Sequence, residues 1–207
     1  MNTPNKLSLL RILMIPIFCV CFYWNFPYHY LVSAIIFVVA ACTDFLDGYI
    51  ARKYNLVTDL GKFLDAIADK VLVLTALVLI ITDSNIINTL KYNIGVILGG
   101  AGVAIILARE LMVSFFRMIA ATKNKVIAAD KMGKIKTTFQ DICIGVFLVG
   151  ANFPSWLVIK GVNFLNALGF ALFVLSVVLT IWSGIEMVIK NKDVLKSVEV
   201  KDEQADS

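Results

Sequence analysis

Four aspartates stand at close, regular spacing in an apolar setting. Asp44 and Asp47 lie in Asp44-Phe45-Leu46-Asp47-Gly48-Tyr49-Ile50-Ala51-Arg52, and after eight residues Asp65 and Asp69 follow in Gly61-Lys62-Phe63-Leu64-Asp65-Ala66-Ile67-Ala68-Asp69. An acidic side chain at mid-depth in a bilayer costs about 2.5–3.5 kcal/mol to insert, so acids placed there mark a functional site. Four carboxylates held together cannot all stay ionised without compensation. Oxygen-only ligands suit hard divalent cations such as Mg2+ or Mn2+, and two such ions would neutralise the four charges.

The elements that position these acids are membrane helices. The 207-residue chain is 59% hydrophobic, has a mean hydropathy of +0.85 and carries 16% charged residues, against about 25% in an ordinary soluble domain. Apolar runs at residues 7–26, 30–51, 63–82, 94–121, 135–153 and 162–189 predict an all-α integral membrane protein of six transmembrane helices. The first run contains Arg11 and Pro16. It lacks a small-residue cleavage site and is followed almost at once by the next span, so it reads as retained, with residues 4–11 as a short interfacial segment. One domain over residues 1–190 and a polar cytoplasmic tail over 191–207 account for the whole chain.

Charge sets the expected orientation. With the N-terminus cytoplasmic, the outer connections carry only Lys91 and Lys160, and the other 17 of 19 Lys and Arg residues fall at or near the inner ends. The second and third spans are then antiparallel and joined on the cytoplasmic side. At 1.5 Å per residue, Asp44 and Asp69 sit about 12 Å in from those helix ends, with Asp47 and Asp65 about 6–7 Å in. Spacings of i, i+3 and i, i+4 put each pair on one helix face. Two facing helices would close the four acids around one cavity, with Asp69 the least exposed to solvent. The helix dipole favours Asp65 and Asp69 near a helix start and opposes Asp44 and Asp47 near an end. Gly48 and Gly61 remove side chains where a ligand must come close.

The pattern D-x-x-D-G-x-x-A-R-x8-G-x3-D-x3-D resembles, at all eight fixed positions, the signature of the CDP-alcohol phosphotransferases. Pro4 to Arg11, Ala68-Asp69-Lys70, Ala108-Arg109-Glu110 and Gly133-Lys134-Ile135-Lys136-Thr137 are similar to the branch of that family whose acceptor is glycerol 3-phosphate; Ala66 departs from it, where that branch has proline. The resemblance covers the chain from Thr3 to about Lys190. It implies transfer of a phosphatidyl group from CDP-diacylglycerol to glycerol 3-phosphate, with release of CMP, by a homodimer, and the compact single domain without a targeting extension suggests a bacterial plasma membrane. It also implies that Asp44 and Asp65 bridge two metal ions, that Asp47 serves one, and that Asp69 binds the second and takes the proton of the attacking hydroxyl. Asn5, Gly48, Arg52, Thr58 and Gly61 match the side that binds CDP-diacylglycerol.

A phosphorylated acceptor needs basic partners of its own. Arg109 lies eight residues before Arg117 on a span running toward the cytoplasm, and Lys134 and Lys136 open the next span from the same side. These four form the expected acceptor-phosphate pocket, and Lys131 is a further candidate, read alternatively with Lys123 and Lys125 as a solvated loop. Arg109 could instead pair with Glu110 or Asp141, and the aspartates could form a structural ion-pair network. Other readings are a same-family enzyme using serine, inositol phosphate or phosphatidylglycerol, and a divalent-cation transporter. A transporter should spread its acids across the membrane, whereas all four cluster on one side beside basic residues that repel cations. Cys19, Cys21, Cys42 and Cys143 show no metal-ligand spacing, and His29 falls on the outer side, so neither zinc nor a disulfide is expected. No feature calls for nucleic acid.

Overall fold

Long apolar runs can satisfy their backbone amides in lipid by closing them within a helix, and the described residues of those runs are almost all helical. The computed structural model describes residues 3–54, 59–87, 92–122, 131–152, 158–159 and 162–191. They form α1 (Thr3–Tyr23), α2 (His29–Lys53), α3 (Asp59–Thr82), the one-turn α4 (Ser84–Ile87), α5 (Tyr92–Thr122), α6 (Lys131–Asn152) and α7 (Phe164–Lys190). A two-residue antiparallel ribbon, β1 (Val158–Ile159) with β2 (Val162–Asn163), precedes α7. Among the described residues, α1, α5 and α7 contain stretches long and apolar enough to cross a membrane, and α2 offers a shorter apolar stretch, His29–Asp44. The charges that interrupt α2, α3 and α6 include Asp44, Asp65, Asp69 and Lys136, the residues with candidate chemistry.

The expected interfacial segment is not separate: α1 runs unbroken from Thr3 to Tyr23. Pro4 falls in the first turn, where its missing N–H has no intrahelical partner to lose. Arg11, which would favour an interface, is instead buried among partners.

Six long helices close a ring. α1 packs on α2 and α3, α2 on α6, α6 on α7, α7 on α5, and α5 back on α3, while α2 and α3 touch each other little. Phe18, Phe22, Phe37, Leu77, Ile80, Ile144, Phe147 and Leu148 fill the interior. On α7 the buried residues Asn166, Gly169, Phe173, Ser176, Thr180, Ser183 and Met187 recur at alternating three- and four-residue steps, a heptad seam. Small residues on that seam let helices approach. A Cβ on Gly169 would stand 2.9 Å from the Phe147 ring. The seam's hydroxyls donate to their own helix, Ser176 Oγ to Phe173 O at 2.8 Å and Thr180 Oγ1 to Ser176 O at 2.6 Å.

The two ends of the ring differ in chemistry. At one end Tyr30 donates to Asp83 Oδ2 at 2.7 Å, Asn85 Nδ2 donates to the Tyr30 hydroxyl at 3.2 Å, and Asn166 Nδ2 reaches Asn85 O at 3.5 Å. This neutral-and-acid clasp ties α2, α4, α7 and the junction between α3 and α4. The other end holds Arg11, Asp44, Asp65, Arg109, Glu110 and Lys136, joined by ion pairs.

Candidate active site

The acids meet across a cation. Arg11, on α1 and with its side chain fully buried, directs Nη1 to Asp44 Oδ1 of α2 at 2.7 Å and to Asp65 Oδ1 of α3 at 3.2 Å. Its Nε donates to Ala40 O of α2 at 3.2 Å. The sequence suggests α2 facing α3 directly; instead α1 lies against both, and Arg11 spans the gap. Arg11 is the residue that the motif reading misses. Its signal was present, since a charge in an apolar span requires a partner.

Asp69 stands one helical turn after Asp65 on the same face of α3, and it is exposed, not the least accessible of the acids. Depth along a helix does not measure burial, because a residue deep in the ring can still face an open space. Asp69 lies within electrostatic reach of Arg11, Asp65, Glu110 and Lys70, and Lys136 lies within reach of Asp69. Asp69 is thus coupled both to the acids and to a second, basic cluster. Of Asn5, Asp47, Gly48 and Arg52 the helix backbone alone is described, as for Lys131, and Thr58, Lys123 and Lys125 lie outside the described residues. Gly61 lies in the first turn of α3, partly buried. Among the described residues, no three acids, cysteines or histidines converge as a ready metal cage.

The basic cluster centres on Glu110 of α5. Its Oε1 accepts from Arg109 Nη1 at 3.1 Å and from Lys136 Nζ of α6. Arg109 Nη2 donates to Ser183 Oγ of α7 at 2.9 Å. Two glycines make room: a Cβ on Gly184 would come within 3.2 Å of Arg109 Cγ, and one on Gly133 within 3.8 Å of Nη2. Ser114, one turn after Glu110, donates to Glu110 O at 2.8 Å and accepts from Lys70 Nζ of α3. Lys134 and Arg117 do not join this cluster and are exposed. Lys134 and Lys136 are two residues apart on one helix and so point to different faces, while Arg117 lies two turns beyond Arg109.

Between α2 and α6 an open cleft of about 630 Å³ is lined by Phe37, Val38, Ala41, Cys42, Asp141, Ile142 and Gly145. Ala41 lies three residues before Asp44 on α2, one helical turn from the acids. Asp141 lies within electrostatic reach of Asp69 and Asp44.

The profile of the CDP-alcohol phosphatidyltransferase family matches residues 1–182. The chain belongs to the CDP-alcohol phosphatidyltransferase family. Among its relatives, a protein of Bacillus subtilis (strain 168) named "CDP-diacylglycerol--glycerol-3-phosphate 3-phosphatidyltransferase" is 38% identical over 208 residues, 95% of this chain and 98% of the relative. Proteins of the same name are similar from Salmonella typhimurium, 37% identical over 187 residues (89% and 92% of the two chains), and from Rickettsia bellii, 35% identical over 185 residues (88% and 91%). Membership in this phosphatidyltransferase family agrees with a helical membrane protein whose Arg11 and Glu110 ion pairs gather at one end of the ring.

Proposed function

We propose that this membrane-embedded phosphatidyltransferase moves the phosphatidyl group of CDP-diacylglycerol to glycerol 3-phosphate, giving phosphatidylglycerophosphate and CMP. The observation that carries the reading is that the ring holds two charged clusters, the acids Asp44 and Asp65 on Arg11 and the buried cations Arg109 and Lys136 on Glu110, with the Lys136 side chain 1% exposed. An enzyme whose acceptor bears no phosphate has little need of the second cluster. Relatives named for the same donor and acceptor support it.

The donor set of Asp44, Asp47, Asp65 and Asp69 fits a divalent cation, because oxygens of Asp44 and Asp65 already converge on one positive nitrogen, Arg11 Nη1. When bound, Mg2+ or Mn2+ would neutralise those carboxylates and polarise the pyrophosphate of the donor. The chain's own groups do the rest. The α2/α6 cleft receives an acyl chain of the donor from the bilayer, and Asn5, Gly48, Arg52, Thr58 and Gly61 contact its nucleotide and phosphates. Arg109 and Lys136, with Lys134 and Arg117 nearer the surface, hold the acceptor's phosphate. The acceptor's primary hydroxyl then attacks the phosphorus nearer the lipid. Its proton passes to the Asp69 carboxylate, the bond from that phosphorus to the CMP oxygen breaks, and CMP leaves with the electron pair. Six spans over residues 1–190, both termini cytoplasmic and a polar tail from residue 191 place this site where soluble acceptor and lipid donor meet.

Purified protein in detergent, given CDP-diacylglycerol with glycerol 3-phosphate, serine or inositol phosphate in turn, tests the acceptor. Preferred turnover of glycerol 3-phosphate supports the proposal, and preference for serine or inositol phosphate contradicts it.

A further inference from the structure

Two cations in a poorly solvated ring repel each other, so Arg109 and Lys136 need a reason to stand together. Their common partner is one atom. Glu110 Oε1 accepts from Arg109 Nη1 at 3.1 Å and from Lys136 Nζ, and so draws a cation of α5 and a cation of α6 to a single point. Burial removes the alternative of solvation: the side chains of Arg109, Lys136 and Glu110 are 11%, 1% and 17% exposed. The guanidinium is fixed at a second corner by Ser183 Oγ on α7. Its third donor, Nε, is buried and donates to nothing among the described residues. Gly184 faces that nitrogen, and even a Cβ there would stand 4.0 Å away. One of the three guanidinium nitrogens is thus left over beside two that are occupied. Glu110 is also anchored on its backbone side, where Ser114 Oγ donates to Glu110 O and accepts from Lys70, the residue after Asp69.

We propose that Glu110 is a positioning residue of the acceptor site: its carboxylate holds Arg109 and Lys136 side by side and leaves Arg109 Nε free, so that a phosphate monoester meets an assembled two-cation pocket. This rests on the reading of glycerol 3-phosphate as acceptor. Glu110 touches neither substrate. Its effect passes through the two cations, whose preassembly removes an ordering cost from acceptor binding.

Steady-state kinetics of the full chain in detergent, varying each substrate at saturating levels of the other, test this. E110Q keeps the shape and loses the charge; it should raise KM for glycerol 3-phosphate roughly tenfold or more, while KM for CDP-diacylglycerol stays within about twofold. E110D, which retains the charge, should recover part of that loss. Because Glu110 acts in part through Lys136, the E110Q/K136M double variant should be less impaired than the product of the two single effects. An equal rise in both KM values in E110Q, or multiplying effects in the double variant, overturns the assignment. Should E110Q not fold, E110D decides: a KM rise confined to glycerol 3-phosphate supports the role, and an equal rise for both substrates overturns it. A wild-type protein with no turnover of glycerol 3-phosphate overturns the acceptor reading and this inference with it, whereas a wild-type protein that uses it while E110Q shows no selective change overturns this inference alone.

Discussion

Replacing Arg11 with methionine removes a cation that joins α1 to the acids of both α2 and α3. The side chain is fully buried and makes contacts at 2.7 Å to Asp44, 3.2 Å to Asp65 and 3.2 Å to Ala40 O. A hydrogen bond to a charged group contributes about 1.5–3 kcal/mol. The two carboxylates are 41% and 46% exposed, so solvent screening discounts each contact. The net loss in metal-free protein is then about 2–3 kcal/mol, or about 5–10 °C in Tm for a chain of this size. Methionine fills most of the volume, so packing contributes little to the loss. If Arg11 and divalent cations neutralise the same acids, saturating Mg2+ should raise the Tm of Arg11→Met more than that of the wild type and narrow the gap. Arg11→Lys should fall between them, because one ammonium cannot reproduce the fork that reaches both acids and the Ala40 carbonyl. The assay is thermal unfolding in detergent followed by tryptophan fluorescence, with EDTA and with Mg2+. An Arg11→Met protein that melts with the wild type in EDTA, or that gains no more from Mg2+ than the wild type does, would refute the argument.

Three further expectations concern the site. Asn in place of Asp44, Asp47, Asp65 or Asp69 should abolish CMP release while the protein stays monodisperse in detergent; near-normal turnover of Asp44→Asn at saturating Mg2+ would contradict a shared carboxylate centre. Asp69→Asn should lose turnover yet keep CDP-diacylglycerol affinity, measured by equilibrium binding with metal present, and substantial residual turnover would show that another group takes the proton. Lys136→Ala should raise KM for glycerol 3-phosphate by roughly 10- to 100-fold, as expected from loss of a charge-assisted contact, whereas exposed Lys134 and Arg117 should each matter by about threefold or less when replaced with alanine; equal effects at Lys134 and Lys136 would contradict the arrangement around Glu110.

Much of this was legible in the chain because it depends on spacing along single helices. The six long helices follow from six apolar runs, and the shared face of Asp65 and Asp69 follows from a four-residue step. What was not legible depends on neighbours. Arg11 reads as a flaw in the first span until α1 is seen to lie across α2 and α3, where the same charge becomes the partner of Asp44 and Asp65. Residues 4–11 run on into the rest of α1 for that reason, since a buried and compensated arginine gives the helix no cause to break. Lys134 and Lys136 look equivalent in sequence, but a two-residue step on a helix cannot send both inward. Depth along α3 sets the height of Asp69 in the bundle and not the space that its side chain faces. Glu110 entered only as a possible counter-ion of Arg109, since a pairing of two cations on one oxygen arises between α5 and α6. The heptad seam of α7 was present in Gly169, Ser176 and Ser183, yet a run so uniformly apolar hides which face packs.

The central claim is that one acidic site joins a lipid donor to a phosphorylated acceptor. Incubating purified protein in detergent with CDP-diacylglycerol and radiolabelled glycerol 3-phosphate, then measuring label in the organic phase together with CMP in the aqueous phase, tests it most directly. The account predicts lipid-extractable label and CMP formed in equal amounts in the presence of Mg2+, with both lost in Asp44→Asn. Release of CMP without label in the lipid, or labelled lipid formed undiminished by Asp44→Asn, would contradict it.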